Sequence, residues 1–223
     1  MKGNTYLKRL ILYSDPFGVN NTKSSSDAMI EGNFASGIVS NLYIIGNNIN
    51  DKGLVTIADA LKVNSVLTHL DIGKNVIKDP GIILLYNALS NRIGNSNSAL
   101  SMLGLQWNFV TNYGAAVIAQ LLVENNKIKC LDLHANKIGF NGTKTIANAL
   151  QYNTALKYLD LSSNLLTPSE INYMKQYFAA TAINVDYVFL DTNDLGTYSC
   201  MKLKYCDIYD KRTEHQCRKK NIL

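Results

Sequence analysis

One phrase of apolar and polar positions recurs along most of the chain: an apolar residue, two others, L-x-L or its equivalent, two residues, an asparagine, and an apolar residue two further on. It reads Val39, Leu42, Ile44, Asn47, Ile49, then Leu67, Leu70, Ile72, Asn75, Ile77. It returns as Leu100, Leu103, Leu105, Asn108, Val110, as Ile128, Leu131, Leu133, Asn136, Ile138, and as Leu156, Leu159, Leu161, Asn164, Leu166. Successive asparagines stand 28, 33, 28 and 28 residues apart, and the five extra residues fall in the polar stretch 92–98, which predicts a surface loop insertion. Val185, Val188, Leu190, Asn193 and Leu195 give a weaker copy 29 residues on. Leu7, Leu10 and Leu12, with Asp15 and Phe17, give a degenerate first one.

The L-x-L core alternates with period 2, which predicts a short strand in each copy, its leucines inward and the residues between them facing solvent. The second half of each copy carries a helical stripe. Gly53, Gly81, Gly114 and Gly142 stand six residues after the asparagine, Ala58, Ala119 and Ala147 eleven after (Tyr86 is the exception), and Leu61, Leu89, Leu122 and Leu150 fourteen after. Asp51, Asp79-Pro80, Asn112 and Thr167-Pro168-Ser169-Glu170 mark helix starts, the last as a capping box. No copy can bury its own apolar face, so the copies must stack side by side, with atypical ones closing the ends.

This pattern resembles the leucine-rich repeat family, and in its repeat length the ribonuclease-inhibitor-like class. The resemblance implies an α/β solenoid, a right-handed horseshoe of about six or seven repeats of 28–29 residues. Its parallel sheet would line the concave face and its helices the convex one. The domain spans 1–199, with a degenerate first repeat at 1–38, and 200–223 form a basic, cysteine-containing cap or tail. The resemblance also assigns Asn47, Asn75, Asn108, Asn136, Asn164 and Asn193 to a structural ladder that satisfies buried backbone groups where each strand ends.

Charge places the basicity outside the repeats. The chain carries +5, of which residues 201–223 hold +4, leaving the body near neutral. A nucleic-acid reader carries its basic stripe on the folded face, so no nucleic-acid partner is expected. No apolar run approaches a bilayer span, and the apolar core near Leu10 to Tyr13 is too short for a secretory signal. The expectation is an intracellular, cytoplasmic monomer that does not insert in membranes. Four cysteines, Cys130, Cys200, Cys206 and Cys217, make no disulfide framework in a chain of 223 residues, and a reduced setting is the simpler reading. Cys200, Cys206, His215 and Cys217 follow no common zinc spacing, so no metal is expected. A phosphate loop, a nucleophile elbow and an HExxH motif are all missing from the sequence, which leaves no cofactor and no catalytic residue to nominate.

Function should then lie in the residues between the consensus leucines and beside them. Tyr43, Ile45, Asp132, His134, Tyr158, Asp160, Tyr187 and Phe189 fall on the expected concave face, and Trp107, the single tryptophan, stands one residue before Asn108. Large apolar side chains at nominally exposed positions point to interface anchors. The family resemblance implies a non-enzymatic module that binds a protein partner through the concave face and adjacent loops. The Asn-, Ile- and Lys-rich composition points to an AT-rich genome, and a free-standing repeat protein of that composition fits either a secreted bacterial effector acting on a host protein, delivered without a Sec signal, or a protist protein. The alternative is a regulator of a small GTPase.

Overall fold

A computed structural model describes residues 8–13, 39–90, 99–181 and 183–191. Seven strands form one sheet in sequence order: β1 (Arg9–Tyr13), β2 (Asn41–Ile45), β3 (His69–Asp71), β4 (Met102–Gly104), β5 (Cys130–Asp132), β6 (Tyr158–Asp160) and β7 (Tyr187–Phe189). Every neighbouring pair is parallel and in register by repeat, Leu42 beside Leu70, Leu103, Leu131 and Leu159. Among the described residues, five helices lie between the strands: α1 (Asp51–Val63), α2 (Asp79–Leu89), α3 (Asn112–Glu124), α4 (Phe140–Ala149) and α5 (Pro168–Ala180). The degenerate first copy contributes β1, whose Leu10 and Leu12 pack on the core. Asn193, residues 14–38, the insertion at 92–98 and the tail 200–223 lie outside the described residues.

The core is one continuous layer between sheet and helices. Leu70, Ile72, Leu103, Leu105, Leu131, Leu133, Leu159 and Leu161 are fully buried, against Leu54, Ile57, Leu61, Leu85, Leu89, Ile118, Leu122 and Ile146 from the helices. Burying one such side chain is worth about 1.5–3 kcal/mol.

The polar rows explain the spacing of the copies. Asn75 donates from Nδ2 to the carbonyls of Ile72 and Gly73 in its own repeat (2.9 and 3.1 Å) and of Ile44 in the preceding one (2.8 Å). Its Oδ1 accepts from the N–H groups of Asn47 and Ile49 (3.0 and 2.9 Å). Asn108, Asn136 and Asn164 repeat the arrangement, each accepting one repeat back from Ile77, Val110 and Ile138. The ladder therefore ties each turn to its predecessor, as the family resemblance implies.

A second row joins the helix starts. The first residue of one helix caps the start of the next. Asp51 Oδ1 accepts from the N–H groups of Lys78 and Gly81 (2.9 and 3.1 Å), Asp79 Oδ1 accepts from Thr111 N–H (2.8 Å), and Asn112 Oδ1 accepts from Gly139 and Gly142 (2.7 and 3.1 Å). Lys78 and Gly139 stand at the N-cap positions of α2 and α4 and supply no cap of their own, because the neighbour does. This also accounts for the glycine column. A Cβ on Gly81 would stand 2.6 Å from Asp51 Oδ1, and one on Gly142 would stand 2.6 Å from Asn112 Oδ1. Helix α5 starts differently, with the reciprocal capping box of Thr167 and Glu170 anticipated from its sequence.

Gly81→Ala should therefore destabilise the array in denaturant melts by about 1–3 kcal/mol, against the sign that helix propensity alone predicts. The cost should shrink by at least about 0.5 kcal/mol when Asp51 is already alanine. Strict additivity would show that the carboxylate is not the obstacle.

Hydrogen bonds from the Thr167 backbone and hydroxyl hold the Glu170 carboxyl below its usual value of 4.5. A lowered folded-state value stabilises above the unfolded value, and that contribution is lost as pH falls through the folded one. The melting-temperature gap between the wild type and Glu170→Gln should narrow below about pH 4.5. A gap independent of pH would remove Glu170 from the cap.

Candidate functional site

The sheet face turned away from the helices carries two columns in register. The first strand residues are His69, Met102, Cys130, Tyr158 and Tyr187, and the third are Tyr43, Asp71, Gly104, Asp132, Asp160 and Phe189. The alternation of the sequence places them here, and the structure agrees on direction. It differs on exposure.

Met102, Cys130, Tyr158, Asp132 and Asp160 are fully buried, and Tyr43, His69 and Asp71 keep 8% or less of their surface. Met102, Cys130 and Tyr158 form a second apolar cluster, separate from the main core, with Tyr187 and Phe189 against it. The Tyr158 and Phe189 rings are 5.4 Å apart. Solvent exposure of Tyr43, Asp132, Tyr158 and Asp160 is therefore corrected to burial, and Ile45, His134, Tyr187 and Phe189 are half-buried. The period of a strand fixes which way a side chain points, and what lies over it is set elsewhere. The expectation of reduced cysteines is corrected too, since Cys130 is disulfide-bonded.

The aspartates of this face cap the ends of their own strands. Asp71 Oδ1 accepts from Gly73 N–H (2.9 Å), Asp132 Oδ1 from His134 N–H (3.0 Å) and Asp160 Oδ1 from Ser162 N–H (2.9 Å). Gln106 Nε2 also donates to both oxygens of Asp71 (2.9 and 3.0 Å). The recurring "LD" thus has a local structural role, an Asx turn two residues long.

His134 Nδ1 lies 2.8 Å from Ser162 Oγ, and Ser162 Oγ lies 2.6 Å from Asp160 Oδ1. The serine proton goes to the carboxylate, so the hydroxyl accepts from the imidazole. An activated nucleophile needs the opposite polarity, with the imidazole taking the serine proton. Among the described residues no three His, Cys, Asp or Glu side chains are grouped to hold a metal ion. Cys200, Cys206, His215 and Cys217 lie outside them.

The exposed part of the site lies where the strands end. The residue before each ladder asparagine turns the chain with positive φ: Gly46, Lys74, Trp107, Ala135 and Ser163, at 73°, 53°, 56°, 53° and 55°. Trp107 is 55% exposed, and its ring stands edge-on to His134 at 5.6 Å. Its N–H donates to the His134 carbonyl (2.8 Å). Two residues further along the chain, Phe109 has Lys137 Nζ 4.7 Å above its ring, and Tyr113, in the first turn of α3, is 63% exposed. Leu165, on the strand exit two repeats along, is exposed as well. Phe109, Tyr113 and Leu165 are absent from the sequence-based nominations. Phe109 and Leu165 occupy the free position right after the asparagine, where a bulky apolar residue is itself a signal.

A leucine-rich repeat family model matches residues 63–85. The fold is that of a leucine-rich repeat solenoid. Mouse NACHT, LRR and PYD domains-containing protein 4C is 28% identical over 94 residues, covering 42% of this chain. The match takes in 9% of that protein, so this chain corresponds to a small part of it. Among solved structures, the leiomodin-1 actin-binding site 2 superimposes with a TM-score of 0.57 at 20% identity, covering 70% of this chain and 88% of that one. That likeness concerns the fold. Among the described residues, no helix is long and apolar enough to cross a membrane.

Leu133→Ala should cost roughly 2–5 kcal/mol by opening a cavity in the main core. Asp132→Ala, at a buried position, should cost about 1–3 kcal/mol by orphaning the His134 N–H. Denaturant melts measure both. An Asp132→Ala variant as stable as wild type would mean that the carboxylate does not hold the turn.

Proposed function

We propose that this chain is a non-enzymatic protein-binding module whose contact surface is the row of strand exits around Trp107. The observation that supports this most is the tryptophan's backbone. A left-handed φ of 56° favours glycine or asparagine, and the neighbouring repeats place Gly46, Lys74, Ala135 and Ser163 there. Local structure therefore gives no reason for an indole at this position. Half-exposed, with Phe109 and Tyr113 exposed further along the same stretch of chain, it has the character of an interface anchor.

Dimensions favour the same edge. Seven strands make six steps of about 4.8 Å, a strip roughly 29 Å long and about 17 Å wide, near 490 Å². That is less than the roughly 800 Å² each partner gives to a standard interface. The strand exits supply the remainder, and with much of the sheet face buried they supply the accessible part. Leucine-rich repeats commonly serve as protein-binding scaffolds, and the leiomodin fragment of this fold is named as an actin-binding site. Repeats of 28 residues with a helix in each support the ribonuclease-inhibitor-like subclass. The effector and GTPase-regulator readings both sit within this one and part only on what is bound.

The test is to capture partners from lysate and then measure the affinity of each captured protein for the wild type, Trp107→Ala and Trp107→Gly. Both variants should weaken binding at least about tenfold, or roughly 1.4 kcal/mol. Trp107→Gly should hold or raise the melting temperature, since it relieves the left-handed backbone. Unchanged affinity in a folded variant would place the contact elsewhere. A large fall in melting temperature for both would return Trp107 to a structural role. Nucleotide hydrolysis by a GTPase panel, with and without the chain, separates the regulator from a plain binder.

A further inference from the structure

We infer that the strand-exit edge takes an acidic segment of a partner protein, with carboxylates on both sides of an apolar anchor seated at Trp107. This rests on the reading of that edge as the contact surface and adds the chemistry of what it binds. Residues 46–50, 74–78, 107–111, 135–139 and 163–167 carry the chain out of β2 to β6. They include Lys74, Lys78 and Lys137 and no aspartate or glutamate. All three lysines are exposed, and among the described residues none of them forms a salt bridge.

Backbone bonds set the order of these turns. Lys74 N–H donates to the Gln106 carbonyl and Trp107 N–H to that of His134, both at 2.8 Å, so the turns stand on successive rungs. Two residues further along each turn, Phe109 N–H donates to the Ile77 carbonyl, Lys137 N–H to that of Val110 and Leu165 N–H to that of Ile138 (2.9, 2.8 and 2.9 Å). A basic rung (Lys74, Lys78) is therefore followed by an aromatic one (Trp107, Phe109), a basic one (Lys137) and an apolar one (Leu165). The two basic rungs are two steps apart, about 10 Å, which about three extended residues also span. Acids three residues apart with an apolar side chain between them match that order.

Local structure gives two of these lysines no reason to be here. Lys74 has a φ of 53°, which favours glycine or asparagine. Lys78 is the N-cap residue of α2 and brings a cation to the positive end of a helix, where Asn50, Thr111 and Thr167 cap α1, α3 and α5. The nearby carboxylates are already engaged. Asp51 and Asp79 are half-buried and accept the N–H groups of Lys78, Gly81 and Thr111. The acids of this edge are spent on the fold, and its cations face solvent.

A nucleic acid is the other polyanion that lysines and an indole attract. Single strands are held in basic grooves that track the backbone continuously. Here the basic track is short, because residues 46–50 and 163–167 contain no lysine or arginine. A short acidic segment fits its length.

Trp107 is the only tryptophan, so its fluorescence in the full chain reports occupancy of the edge directly. The probe is a short peptide of leucines flanked by glutamates, titrated at low salt beside its glutamine counterpart and a thymidine oligonucleotide of equal charge. The glutamate peptide should shift the indole emission and bind at least about fivefold tighter than the glutamine one. Lys74→Gln with Lys137→Gln should weaken it by a similar factor, and the gap should close near about 1 M salt, where charges are screened within about 3 Å. Lys74→Glu with Lys137→Glu should reverse the preference, towards a lysine–leucine peptide. Each variant should melt like the wild type, because the replaced side chains are exposed. Equal binding of the glutamate and glutamine peptides would overturn the acidic partner and leave Trp107 as an anchor. A glutamate peptide that leaves the indole emission unchanged, or binds the lysine variants as well as the wild type, is held by other basic residues and also overturns it. Tighter binding of the oligonucleotide would assign the edge to nucleic acid instead. Failure of the underlying reading shows separately, in captured partners whose affinity ignores Trp107→Ala.

Discussion

The central repeats of this chain do not satisfy all of their own polar ends, and much of the structure follows from that constraint. A strand of three residues leaves carbonyls and N–H groups exposed where it stops, and a helix leaves its first N–H groups without partners. Here the neighbouring repeat supplies what is missing. Asn75 reaches the Ile44 carbonyl at one level, and Asp51 reaches the first turn of α2 at another. At the helix ends Asn125 donates to the Leu89 carbonyl and Asn153 to that of Leu122 (2.8 and 2.6 Å). Each bond contributes only about 1 kcal/mol net, but each orphaned group would cost about 1–3. The fixed spacing follows, because one residue of slippage would break several bonds of this kind at once.

The sequence shows what repeats and hides what merely meets. Leucine and asparagine columns were legible because every copy states them, and the strand and helix starts came out within a residue or so. The glycine column was visible, but its reason was not. The carboxylate filling the place of the Gly81 Cβ belongs to Asp51, in another repeat. A second asparagine row was missed although it keeps the same spacing. Asn64, Asn97, Asn125 and Asn153 each stand three residues before a repeat's opening apolar residue, and three of them are buried caps, with Asn97 outside the described residues. A search for polar residues at repeat spacing would have found it.

The candidate site was read less well, for a physical reason. Alternation assigned Tyr158 and Asp160 to the correct side of the sheet. Whether that side is wet is not written in the period of a strand, which fixes the direction of a side chain and nothing about its exposure. Trp107 was found as the single tryptophan, and the structure adds that it breaks a column otherwise filled by Gly46, Lys74, Ala135 and Ser163. Departures from a repeat's own rule carry more information about contact surfaces than the rule does.

The sheet face itself holds a contradiction that bears on how it is used. Parallel sheets covered on both sides are written as nearly continuous apolar strands. Strands β3, β5 and β6 instead end in Asp71, Asp132 and Asp160, as a solvated face would, yet all three are buried. Burying a carboxylate is tolerable only when it is hydrogen-bonded, and the turn N–H groups of Gly73, His134 and Ser162 provide one bond apiece. Each carboxylate has room for more acceptor bonds than that, which water or a basic side chain can fill equally well. The apolar cluster of Met102, Cys130 and Tyr158 stands on the same face as these aspartates, so one surface combines apolar burial with carboxylates that only their hydrogen bonds make tolerable.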